Sequence, residues 1–500
     1  MTVADQKKTA SLKRNFGMRE AVTLTVGSVV GVGLFVTGAN VVGGMGNYII
    51  LATALAFLVT IYPALLYAEM GASLPYAGGT YQYATFGISK PVGFLAGWNY
   101  VIALVSVASG EAFAFAFYFK TMFAAFGVEI PVSDTVIASL CILIFVVLNV
   151  RGVEMTGWMA NASMFFFWGV AIIWFLMMIP NISLPNFVEK PSFMAEGPSG
   201  FIANVAMVWW CFAGFESCCS MGEEIKYPHI NIPRAMFLTP LIVFAVNAFF
   251  QWFLVGIVPP ERLEQLSTAA APYAEAMMTA GILGIPLALL AAGIAFGGGV
   301  STMNACISTP PRYLFAIARD GALPQILTKV HPKFQTPYVA ILFLGLLTFL
   351  LVLTNSMNYI ASLSLFADLF TYTLGIAAAY GLRKKLPDLR RPYRAPFILA
   401  GTIISIAIYI IMITQLGLSA IISGIVWSVL GMVLYFGYQF YKKGTGVSEA
   451  QELRLVQAEF EEPPEEEKTK MDREYKIWRS IVWVAVVISV ALYVIPYFVV

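Results

Sequence analysis

A helix that opens inside a membrane frees peptide groups that can bind charge. Two stretches of this 500-residue chain have the composition to open. The first is GSVVGVGLF, in which Gly27, Ser28, Val29, Gly31, Val32 and Gly33 lie inside a long apolar run. The second is WWCFAGFES, from Trp209 to Ser217, which opens the later half of the chain. Freed N–H groups at the positive end of a helix dipole suit an anion, and freed carbonyls suit a cation. An α-amino acid or related amine presents such charges. Hydrocarbon cannot replace lost backbone hydrogen bonds, so these breaks must face protein or a water-filled cavity. Two such interruptions in corresponding places point to the substrate site of an inverted-repeat transporter.

Two acids add to this chemistry. Glu111 lies midway along one apolar run, in VASGEAFAFAF, and Asp368 in another, in LSLFADLFTY. A carboxylate at that depth is expensive, so it must face the interior and find a cation, a proton or a polar partner. Three roles stay open for each: counter-ion to an amine substrate, proton carrier, or hydrogen-bonded structural acid. Glu69, at the end of the second apolar run, reads as a gate or hinge contact.

The elements that must hold these groups are membrane helices. The chain is 59% hydrophobic and 12% charged, about half the charge of a soluble domain. Apolar runs of spanning length lie near 19–44, 48–72, 92–119, 133–150, 157–180, 200–220, 236–258, 281–310, 337–354, 359–382, 397–416, 418–441 and 478–499. This predicts an all-α integral membrane protein of about 13 helices, the eighth of which reads equally as two shorter pieces. The N-terminus, MTVADQKKTASLKRNFG, is polar and basic and lacks a signal-peptide cleavage pattern, so the first span is expected to be retained. With that end cytoplasmic, the inner segments hold 27 of the 30 Lys and Arg, leaving Lys120, Lys190 and Arg262 outside. The positive-inside rule then sets a multi-pass cell-membrane topology with Val500 outside.

Cys141, Cys211, Cys218, Cys219 and Cys306 all fall within apolar runs, without a C-x-x-C pair. With only His229 and His331 in the chain, they read as packing residues, and no metal or other cofactor is expected. The net charge of +2 follows topology and gives no sign of a nucleic-acid partner. From Lys442 to Lys476 the chain is charged, with EFEEPPEEEKTK suggesting a solvated linker with at most some helix. The run after it should pack against the main bundle.

Several blocks, in this order and spacing, resemble the amino acid–polyamine–organocation transporters. They are GSVVGVGLF; YAEMGASLPYAGGTYQYATFG at 67–87; LNVRGVE at 148–154; FAGFESCCSMGEEIKYPHINIPRAM at 212–236; YLFAIARDGALP at 313–324; HPKFQTP at 331–337; and LRKKLPDLRRPYRAP ending at Pro396. The likeness runs from Leu12 to about Pro396. It implies a leucine-transporter-like fold, with spans 1–5 and 6–10 as inverted repeats and spans 11 and 12 peripheral. The chain would divide into a cytoplasmic segment (1–18), a transport core (19–396), peripheral spans (397–441), a charged linker (442–477) and an additional helix (478–500). That thirteenth span departs from the usual 12.

The resemblance also implies a site. Backbone N–H groups between Ser28 and Gly33 would hold a carboxylate, together with the Ser28 hydroxyl. Trp210, Cys211, Phe212, Ala213 and Gly214 match the unwound segment whose carbonyls take an ammonium, with Trp210 or Phe212 closing over the substrate. Val105, Ala108 and Ser109 would come from the third span, and Thr302, Ala305 and Cys306 from the eighth. Many members carry a fifth-span lysine facing the first break; here Asn161–Ala171 offers Phe167 or Trp168 instead, so no mechanism built on that lysine carries over. In the eighth span, Pro310 and Pro311 should distort the helix, because proline removes a donor. Glu223, Glu224, Arg234, Arg319 and Asp320 could exchange partners as inner gates.

The reading is therefore a secondary transporter of a small amino acid or related amine, working by alternating access within the lipid bilayer. Proton symport, exchange and sodium coupling stay open, with proton coupling or exchange favoured. No G-x-x-x-x-G-K-[ST] run supplies an ATP site. A cationic-amine carrier and a non-transporting amino-acid sensor are rivals. An enzyme lacks a catalytic constellation, and a channel lacks a continuous polar path.

Overall fold

The computed structural model describes residues 16–500 except 77, 153–154, 189–196 and 446–460. Among the described residues the fold is helical, apart from a single parallel bridge between Phe16 and Ile225. In chain order the helices are α1 (Met18–Val29), α2 (Gly38–Met45), α3 (Ile49–Ser73), α4 (Gly79–Gly87), α5 (Lys90–Ala124), α6 (Asp134–Val150) and α7 (Met155–Met178). They continue with α8 (Gly197–Trp209), α9 (Ser217–Ser220), α10 (Pro228–Ile257), α11 (Pro272–Thr279), α12 (Ile285–Ala292) and α13 (Val300–Arg319). The last are α14 (Tyr338–Val352), α15 (Met357–Lys385), α16 (Ile398–Thr414), α17 (Leu418–Thr445), α18 (Glu465–Val494) and α19 (Pro496–Val499).

Seven helical stretches among the described residues are long and apolar enough to cross a membrane, and four shorter apolar helices accompany them. Side chains are distributed as lipid requires. Leu143, Ile144, Phe165, Ile172, Ile403, Val426 and Val433 are exposed, while Asn99, Glu111, Gln251, Ser364, Asp368 and Thr371 are buried. In water so much exposed apolar surface would aggregate; in hydrocarbon it is the solvated face.

The first and sixth predicted spans are each broken, α1 from α2 and α8 from α9. The eighth is continuously helical from Ile285 but changes pitch: α12 passes through a π-helical stretch, Gly293–Gly299, into α13. α13 then continues through Pro310 and Pro311 to Arg319, so the prolines do not end it. At the far end, helix begins at Glu465, inside the segment expected to be a linker. Glu465, Glu466 and Glu467 fill its first turn, where the helix dipole favours negative charge. The middle of that linker, and Val153 and Glu154 of LNVRGVE, lie outside the described residues.

Candidate functional site

The first break follows from local sequence. Val30 leaves α1 in an extended conformation (φ −80°, ψ 91°), as β-branched residues readily do, and Gly31 leaves room for the side chains that close the break. Helical turns resume at Val32, pass through a π-helical stretch, Gly33–Thr37, and run into α2. At the break the backbone is satisfied by side chains from elsewhere. Val32 N–H donates to Glu111 Oε1 of α5 at 2.6 Å. Thr302 Oγ1 of α13 lies 3.2 Å from the carbonyls of both Gly27 and Val30. Gly31 is essential to this packing, because a Cβ there would collide with the Glu111 carboxylate and come within 3.0 Å of Thr302 Oγ1.

The second break is built differently. α8 tightens into a 3-10 turn over Trp210–Phe212, Ala213 is extended, and Gly214 takes φ +91°, a conformation glycine adopts freely. Tyr372 of α15 holds it: its hydroxyl accepts the Gly214 N–H at 2.9 Å and donates to the Glu216 carboxylate. Trp210 is anchored in the same helix, its Nε1–H donating to Ser364 Oγ at 3.1 Å, and Ser364 lies 3.3 Å from Asp368 Oδ2.

The two breaks meet. A Cβ on Gly33 would lie 3.3 Å from the Cys211 Cα, and one on Gly214 would lie 3.5 Å from Val29 Cγ2 and 3.6 Å from the Ser28 carbonyl oxygen. Ser28 Oγ is 2.9 Å from Ser217 Oγ, which donates to the Gly214 carbonyl at 2.7 Å. Ser28, Ala213, Gly214, Ser217 and Ala305 are only half-buried, on the side from which α1 comes. The opposite side is sealed by aromatic rings: Phe35 packs edge-on against Phe167, Phe250 and Tyr273 at centroid distances of 5.3, 5.6 and 6.0 Å.

Not every sequence-derived residue faces this junction. Ser109 Oγ lies 2.9 Å from the Val105 carbonyl and 3.2 Å from that of Thr348 in α14. Successive residues on a helix diverge by about 100°, so Glu111, two positions on, reaches the break while Ser109 engages α14. Val105 packs with Tyr100 and Tyr313, and Ala108 and Cys306 sit with Met303 and Cys141 in a separate apolar cluster. Phe212 is buried in the main core, and Cys211 lies at the crossing of the breaks. Phe167 occupies the fifth-span position facing the first broken helix.

Glu216 and Ser217 were not singled out by sequence reasoning. Glu216 carries the same signal that marked Glu111 and Asp368, an acid in an apolar setting, but sits where a predicted span ends. Its partner Tyr372 comes from a helix some 150 residues away, which no local pattern reveals.

Glu69 is held on the side where α1 begins. Arg383 Nε and Nη2 grip its two carboxylate oxygens at 2.7 and 2.5 Å, Arg391 Nε approaches to 3.4 Å, and the Ala395 N–H donates at 2.8 Å. Burial pushes the Arg391 guanidinium below its ordinary range, and the Glu69 charge opposes that shift. Arg391 also donates to the carbonyls of Leu382, Leu386, Pro387 and Leu389. Asp320 accepts the Tyr81 hydroxyl at 2.8 Å; burial raises its carboxyl above the ordinary aspartate value, and that hydrogen bond partly offsets the rise. Of the other expected gate residues, Arg319 stands 3.8 Å from Asp320, and the Glu223 side chain lies outside the described residues. Arg234 pairs with Asp472 of α18, a partner not anticipated.

Comparison with known proteins agrees with this architecture. Residues 16–438 match the family model described as "Amino acid permease". The branched-chain amino acid permease BcaP of Bacillus subtilis is 28% identical over 447 residues, covering 86% of this chain and 93% of that protein. The methylthioribose transporter of the same organism is 28% identical over 456 residues, covering 87% and 96%. The human large neutral amino acids transporter small subunit 2 is 28% identical over 402 residues, covering 77% and 72%.

Proposed function

We propose that this chain, which belongs to the amino acid permease family, carries a neutral α-amino acid across the membrane by alternating access. The observation that carries this reading is the meeting of two opened helices at Gly33 and Cys211, with half-buried hydroxyls of Ser28 and Ser217 beside them. The N–H of Gly31, just past the end of α1, is offered to the substrate carboxylate. The carbonyls of Cys211, Phe212 and Ala213, at the second break, are offered to the ammonium.

The engagement of the buried acids supports a neutral substrate. Glu111 is occupied by Val32, Glu216 by Tyr372, and Asp368 by Ser364. A cationic-amine carrier would need one of them turned into the junction. Two relatives named for branched-chain and large neutral amino acids support this reading, and a third is named for methylthioribose, which the test below includes.

In the proposed cycle the half-buried side is cytoplasmic, consistent with the Lys and Arg distribution, and the Phe35 cluster is the closed outer gate. α1 and α9 are the segments best placed to move, since each is joined to its continuation through an opened backbone. Glu111 is positioned to couple substrate to a proton, because it reaches the break and has no ion-pair partner among the described residues. Uptake into proteoliposomes tests the reading, using branched-chain, large neutral, acidic and cationic amino acids and methylthioribose, with and without a proton gradient. Saturable uptake of neutral amino acids supports it; preference for cationic amines, or binding without transport, overturns it.

A further inference from the structure

We infer that α18 is a positioning element for the inner half of the first broken helix, acting through Glu474 and Asp472. It sets how readily the Ser28 side of the breaks opens, and so rests on the alternating-access reading of that junction.

α18 is too long to serve only as a lipid-embedded helix. Its 30 residues extend about 45 Å, against a hydrocarbon core of about 30 Å. Its charges all lie between Glu465 and Arg479, and Ser480–Val494 has none. The apolar half is fastened along α10: Trp252 Nε1–H donates to the Leu492 carbonyl at 3.0 Å, and the Tyr493 hydroxyl donates to Ala248 at 2.9 Å. This anchor fixes where the polar half projects.

The polar half reaches the starts of two helices. Arg234 of α10 pairs with Asp472, and its guanidinium lies 5.1 Å from the Tyr475 ring centroid. Tyr227, just before α10, donates to Glu467 at 2.8 Å. Arg19, one residue into α1, donates from Nε to Glu474 at 2.9 Å. The lead-ins to α1 and α10 are themselves bridged: Phe16 N–H donates to the Glu224 carbonyl at 3.0 Å, and Lys226 N–H to that of Phe16 at 2.8 Å. Immediately before α18, Glu462 stands 3.7 Å from His229 and 3.5 Å from Arg390.

The leverage lies in the geometry of α1. It is a short rod hinged at Val30–Gly31, and Arg19 is at the end remote from the hinge. A tie there opposes any swing of the rod with the longest available arm. Exposed ion pairs are weak, and each shifts an equilibrium by no more than about fivefold. That is enough to bias a gate without locking it. The Arg234–Asp472–Tyr475 contact is less exposed and keeps Glu474 in register.

The test uses the full chain in lipid nanodiscs and proteoliposomes, with Ala213→Cys as reporter at the junction and the rate of modification by a small polar methanethiosulfonate as readout. The unmodified chain, whose cysteines are buried, gives the background. Glu474→Arg and Arg19→Glu should each speed modification by about three- to fivefold and raise KM more than they change kcat. The charge-swapped double variant should return to within about twofold of the parent. If a reversed charge disturbs folding, Glu474→Gln should show a smaller change in the same direction. Parent rates in the single variants, or a double variant no nearer the parent than either single, overturn the inference. Modification does not require turnover, so a shifted rate in a chain that transports no amino acid would defeat the proposed substrate and leave the role of α18 standing.

Discussion

Glu111 and Val32 are joined across two helices: the carboxylate of α5 accepts, at 2.6 Å, an N–H that the interrupted first helix leaves without its own carbonyl. The site thus holds a carboxyl group beside the peptide groups proposed to receive the substrate's carboxylate. Protonation of Glu111 would weaken that acceptor and change the charge next to the substrate, coupling the two without a lysine in the fifth span.

Glu111→Gln keeps the shape and one acceptor but cannot lose a proton. Its uptake is expected to become independent of pH, with a maximal rate at least tenfold below the parent's if release depends on the carboxylate. Proteoliposome uptake measured across pH 5–8 checks this. Undiminished transport at every pH would make Glu111 a structural acid.

Gly31→Leu should abolish substrate binding, since even its Cβ would displace the Glu111 carboxylate and crowd Thr302. Titration calorimetry in detergent is the measurement. Unchanged affinity would count heavily against the placement of the site.

Tyr372→Phe removes the hydroxyl that serves both Gly214 and Glu216. Losing these two hydrogen bonds costs about 1–3 kcal/mol. A lower Tm and at least tenfold weaker substrate binding are expected from thermal-shift titration. A parent-like Tm would show that the second break is held by other contacts.

Glu69→Ala leaves Arg391 buried without its counter-charge, and breaking such a pair costs about 3–5 kcal/mol. Detergent-solubilised protein should show a drop in Tm that added salt barely changes, as befits a buried contact. A small, salt-sensitive loss would assign the pair to the surface class instead.

Asp320 supplies the pH signature. Its raised carboxyl value means the fold binds this proton more tightly than the unfolded chain does. That contribution is complete below the ordinary value of 3.8 and is lost as pH rises through the raised one. The Tm difference of Asp320→Asn minus parent should therefore grow over that window. A difference constant with pH would mean that Asp320 does not titrate there.

Much of the fold was legible because membrane helices announce themselves through apolar length. The broken helices were legible through Gly31, Gly33 and Gly214, whose missing side chains permit turns and close approach. Ser109 and Glu111 show where legibility ends: both lie in one apolar helix, and the rotation between them determines which reaches the break. The helical start of α18 was hidden because EFEEPPEEEKTK has the composition of a solvated segment, while the acids that follow it in α18, Asp472 and Glu474, find partners in Arg234 and Arg19.

Sequence by itself determined the solvent of this chain, the family to which it belongs and the two places where its helices open, because apolar length and glycine content act locally. Tertiary structure decided which polar groups close those openings: Glu111 on Val32, Thr302 on Gly27 and Val30, and Tyr372 between Gly214 and Glu216. The reason is the dry interior. An opened peptide group there must be satisfied, and its partner is set by which distant helix is packed against it rather than by neighbours in the chain.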